Sequence, residues 1–150
     1  MREALERSIE ELKRIDHLIY VTLKYTRTVD VLISVIDRMI NAYEFAVDAL
    51  FKYALETNMI DKIPEVPVTK AQKITDIFDN PVVIKNTELY QLFRKLKKVS
   101  YERENEYRRH VTMRATIEGK PVEINIDNIT EYYHFIKKLV DFVYKKVIEK

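Results

Sequence analysis

The chain has no cysteine and a single glycine among its 150 residues. Lack of cysteine excludes disulfides, zinc–thiolate sites and cysteine nucleophiles. A glycine loop that cradles phosphate needs several glycines, because the backbone must come close to the ligand, and one glycine excludes it. Long apolar runs are missing too. Aliphatic stretches such as Val31 to Ile33 are far too short to span a bilayer. The start, "MREALERSIEELKR", is highly charged and has no apolar h-region. Net charge is only +2, so the molecule as a whole is no polycation, and a nucleic-acid role would need a local basic cluster. The expectation is a soluble, cytoplasmic protein.

Apolar residues make up 47% of the chain, enough for one core in one domain over 1–150. A third of the residues are charged. That share, with little glycine and no cysteine, fits a thermophile. A helix-rich protein that avoids glycine is the plainer alternative.

Leu5, Ile9, Leu12, Ile15 and Ile19 recur at helical spacing and predict a helix over 2–24. Leu32, Ile36, Tyr43, Val47 and Leu50 continue the period over 28–57. "YTRTVD" between them holds no Gly or Pro, so one long bent helix is the alternative to two. Thr69 and Gln72 form a capping-box pattern for a short helix at 70–78. "DNPVVIKN" reads as a break. Leu89, Leu92, Phe93, Leu96 and Val99 then predict a helix over 87–108. Next the period changes to two. Val111, Met113, Ala115 and Ile117, then Val122, Ile124 and Ile126, flank "EGKP" as a β-hairpin. Asn128 with Glu131 is positioned to cap a last helix, whose stripe includes Tyr132, Phe135, Ile136, Leu139 and Val143. The fold class is mainly α: an antiparallel helical bundle with one small β-hairpin before the C-terminal helix.

His17, His110 and His134 lie far apart, with no His-x-x-x-His or Glu-x-x-His pair, so neither metal nor other cofactor is expected. His17 reads as surface or half-buried, and His134, in "EYYHFI", as packed among aromatics. Residues 94–114 hold eight basic and three acidic side chains, a local net charge of +5. Arg108, Arg109, Arg114, Lys97 and Lys98 could hold a phosphate backbone, and Tyr107 could stack on a base. Alternatively, such a run complements a helix dipole and forms i,i+4 pairs. Within it, "RENEYRRH" places Arg103 and His110 seven residues apart, on one face if helical. A histidine that moves the 2′-OH proton and an arginine that stabilises the charged phosphorane suffice to cleave RNA without metal.

Arg103, six intervening residues and His110 match the signature of the HEPN domains, and the chain resembles that superfamily. "NAYEFAVDALFKYAL" looks like its alanine-rich second helix, and "LYQLFRKLKKVSYERENEYRRH" like the helix leading into its motif. The resemblance implies a HEPN-like helical bundle, often a homodimer, many members being metal-independent endoribonucleases. Arg103 and His110 would then be catalytic, RNA the substrate, and an antitoxin or a nucleotidyltransferase-like protein the partner in a toxin–antitoxin or defence setting. Glu104 departs from the pattern. Active members usually carry Asn, Asp or His directly after the motif arginine, and an acid there would repel phosphate. Two alternatives stand beside this reading. One is a non-catalytic helical homodimer or interaction module that binds protein or nucleic acid. The other is an unrelated bundle.

Overall fold

The computed structural model describes residues 1–149. Helix α1 (Arg2–His17) runs on through a π-helical turn, Leu18–Thr22, and a last turn, Leu23–Tyr25. Helix α2 (Val29–Glu56) follows, then α3 (Pro67–Ile77) and α4 (Pro81–Leu96). Strands β1 (Tyr101–Glu104), β2 (Thr112–Ile117) and β3 (Lys120–Asn125) precede α5 (Ile126–Tyr144), which ends in a π-helical turn, Lys145–Glu149. The architecture is mainly helical with a small antiparallel sheet in the order β1-β2-β3.

The helix α2 is the central pillar. Leu32, Val35, Ile36, Met39, Leu50 and Phe51 on it are all buried. It packs most extensively on α1, and also on α5 and α4. Small residues allow the α1–α2 approach: Ala4, Ser8, Ala42 and Ala46 are all buried. The Ser8 hydroxyl donates to the Ala42 carbonyl at 2.9 Å, so its polar group is satisfied inside the interface. Between α4 and α2, the Tyr43 and Tyr90 rings stack with centroids 4.2 Å apart. The Tyr43 hydroxyl shares a 2.9 Å hydrogen bond with Thr87.

The first two helices are separate. The chain leaves helical geometry at Thr26, with φ −131° and ψ 89°. Thr28 is extended, and its hydroxyl accepts from the Val31 N–H as an N-cap. The third helix starts at Pro67 rather than 70, since proline's fixed φ suits a first turn, and Thr69 does not cap it. The fourth starts at Pro81 rather than 87. The apparent breaker "DNP" is its N-terminus: the Asn80 side chain accepts from the Val82 N–H at 2.9 Å, with Pro81 next.

That fourth helix ends at Leu96, twelve residues before the expected 108. Beyond Val99 the apolar stripe stops, and Tyr101 to Glu104 pair instead with β2, Tyr101 opposite Ala115 and Arg103 opposite Met113. The expected hairpin is present as β2–β3, closed by Glu118 (φ +53°) and Gly119 (φ +80°) between Ile117 and Lys120. Two positive φ angles in a two-residue loop match the right-handed twist of the strands. It gains a third strand, β1, not evident in the sequence pattern. At the start of α5 the capping pair is Asn125 with Asn128, each side chain accepting from the other's N–H at 2.9 Å, rather than Asn128 with Glu131.

Candidate phosphate-binding cleft

"RENEYRRH" begins on strand β1 and continues as a loop, so Arg103 and His110 share no helix face. Both terminal nitrogens of Arg103 are engaged. One guanidinium nitrogen donates to Asp30 at 2.8 Å and to the Tyr101 hydroxyl at 3.3 Å, and the other donates to Glu106 at 3.2 Å. The guanidinium also lies over the Tyr101 ring. The hydrogen bonds to Asp30 and then Glu106 raise the pKa of Arg103 further, while the bond from Arg103 holds the Asp30 carboxyl below its ordinary value. Asp30 is in the first turn of α2. Arg103 thus braces the sheet against the start of that helix.

The loop after β1 is tied to the same place. The other Glu106 carboxylate oxygen accepts from the Val29 N–H at 3.0 Å. The Tyr107 N–H donates to the Arg27 carbonyl at 2.6 Å. Asn105 and Tyr107 take positive φ of 54° and 66°. A left-handed tyrosine is uncommon and persists where its surroundings hold it. These two ties hold it. The loop then closes on itself: the His110 carbonyl accepts from the Thr112 hydroxyl at 2.8 Å and from the Asn105 amide at 3.3 Å.

This pinning creates a cleft of about 260 Å³. Arg27, Arg109, His110 and Thr112 line one part of it, and residues 125–127, at the start of α5, line the other. Arg109 and His110 are exposed. Among the described residues, none of Arg27, Arg109 and His110 has an ion-pair partner. Nε of Arg27 is sheltered from solvent without a hydrogen-bond partner. A helix N-terminus adds a partial positive charge, and Asp127 contributes the one carboxylate.

The expected site residues are therefore divided. His110 and Arg109 meet in the cleft, whereas Arg103 does not line it. Arg114 is neutralised by Glu104 at 2.6 Å and by Glu123. Glu104, the departure from the motif, is thus spent on Arg114. Lys97 pairs with Asp37. Lys98 and Arg108 are exposed, as is Tyr107 at 77%. Arg27 was not singled out by the sequence. It sits in "YTRTVD", distant in the chain, and the ties from Tyr107 to Arg27 and from Val29 to Glu106 bring it to the loop. Of the other histidines, His17 is exposed as expected, while His134 is exposed rather than packed, its ring beside that of Tyr133.

Fold and cleft together define a mainly helical protein with a small sheet and a basic cleft where the sheet meets two helix starts. Compared with known families, curated proteins and solved structures, the chain matches none. Among the described residues, no helix is long and apolar enough to cross a membrane, and no three His, Asp or Glu side chains gather as metal ligands would.

Proposed function

We propose that this protein acts on RNA as a HEPN-like, metal-independent endoribonuclease, with His110 as general acid/base. The observation that carries this reading is an exposed histidine beside an unpaired arginine, Arg109, in a basic cleft. In the reaction, His110 takes the 2′-OH proton and O2′ attacks phosphorus. The 5′ oxygen then leaves with a proton from solvent, giving a 2′,3′-cyclic phosphate and a 5′-hydroxyl. Arg109 faces the phosphate charge. Arg103 supports the loop rather than the phosphate, because its donors are held by Asp30 and Glu106. Exposed Lys98, Arg108 and Tyr107 would guide the strand. A homodimer, with an antitoxin or nucleotidyltransferase-like partner, belongs to the same reading through the resemblance.

The test is incubation with single-stranded RNA in EDTA. Cleavage to cyclic phosphate ends should disappear in His110→Ala with the melting temperature unchanged. A second reading, a non-catalytic RNA-binding module, is favoured by the engagement of Arg103 away from the cleft. It predicts RNA bound but uncut at every pH between about 5 and 8, the range over which histidine ordinarily titrates.

A further inference from the structure

We infer that the cleft is a subsite for one phosphodiester group, and that Arg27 is its principal ligand. This inference rests on the RNA reading for its substrate but not for its chemistry. Lys95, Lys97, Arg103 and Arg114 each have a partner. Arg27, Arg109 and His110 have none among the described residues, and what sets them apart is that all three line one cavity.

Arg27 carries most of the argument. Its guanidinium is always charged and presents donors in a fixed fork suited to phosphate oxygens. A sheltered donor without an acceptor is costly, and a native chain rarely keeps one without a reason. Here Nε of Arg27 is such a donor, and the same side chain lines a cavity of about 260 Å³, room enough for a phosphate and its ester groups. The α5 N-terminus lines the same cavity, where its dipole favours an anion.

Charge selects the class of ligand. The two arginines and the one carboxylate, Asp127, that line the cavity sum to a single positive charge. That matches a phosphodiester, with one negative charge, better than a phosphate monoester or polyphosphate. The exposed Tyr107, tied by its backbone to Arg27, would offer a stacking surface for a base next to that phosphate.

The experiment is a titration of the whole protein with dimethyl phosphate and, separately, inorganic phosphate, followed by NMR. The probes are the Arg27 Nε–H signal and the His110 ring signals. Dimethyl phosphate should shift both with one shared saturation curve and at lower concentration than inorganic phosphate. Arg27→Ala should weaken binding about tenfold or more. Arg27→Lys, which keeps the charge without the fork, should fall between, and Arg7→Ala on α1 should match the parent. Signals unmoved at tens of millimolar diester, or tighter binding of inorganic phosphate, would overturn the inference. So would cleavage of RNA at the parental rate by Arg27→Ala, which leaves the nuclease reading standing. Diester binding without any RNA binding supports the subsite and removes RNA as its source.

Discussion

Glu106 is where the fold and the cleft are most closely coupled, and replacing it tests both. Its carboxylate accepts from the Val29 N–H at 3.0 Å with one oxygen and from Arg103 at 3.2 Å with the other. The first is in effect a cap on α2 supplied by a residue 77 positions away. Losing an N-terminal acceptor costs about 1–2 kcal/mol, and a carboxylate there also favours the helix dipole. Glu106→Ala should therefore destabilise by about 1–2 kcal/mol. For a chain of this size that is a fall in Tm of about 3–6 °C. Glu106→Gln keeps an oxygen acceptor without the charge and should recover about half. Thermal unfolding measures the total, and amide exchange at Val29 locates it, since that N–H loses its acceptor. The same change loosens the loop, so dimethyl phosphate should bind more weakly in the cleft. A Glu106→Ala protein that melts within about 1 °C of the parent, or keeps the parental exchange rate at Val29, would refute the argument that this carboxylate pins the loop to the helix.

Alkaline conditions should unfold the protein through its buried tyrosines. Burial is the main cause that pushes the Tyr43 hydroxyl up to about 12 from 10.0, against the opposing hydrogen bond with Thr87. Because the folded value is the higher one, this stabilisation is complete below about pH 10 and lost as pH rises towards 12, an effect of about 2–3 kcal/mol. Tyr90 and Tyr133 are raised as well, also chiefly by burial, so they act in the same direction. Urea midpoints should fall across that interval, and more gently in Tyr43→Phe. Gly119→Ala should cost about 1 kcal/mol in the same assay, purely from the backbone. Its φ is +80°, and an added Cβ would meet nothing within 4 Å.

The amphipathic helices and the hairpin are legible because each rests on a local period: Leu5 to Ile19, Leu32 to Leu50, Val111 to Ile126. Local pattern misleads where distant residues decide. The segment "YERE" has the Glu and Arg spacing of an exposed helix, and only pairing of Tyr101 with Ala115 and Arg103 with Met113 makes it a strand. "DNP" looks like an interruption, yet Asn80 and Pro81 are an N-cap and a first turn. At the cleft, His110 and Arg109 could be found from charge and spacing. Arg27 could not, since one hydrogen bond from Tyr107 and one from Val29 to Glu106 bring its segment to the loop.

The sheet is also closed to growth. In β3, Lys120 flanks the two-residue turn and so lies in a hydrogen-bonded pair with Ile117. The next pair, Thr116 with Pro121, is then of the non-bonded kind, and the backbone nitrogen of Pro121 faces outward. That nitrogen has no hydrogen to offer an incoming strand. At the opposite edge, β1 is four residues long and carries Glu102, Arg103 and Glu104 in succession. Short, charged or proline-bearing edges discourage strand addition. Edge-to-edge pairing with a second copy of this chain is therefore disfavoured at both margins of the sheet.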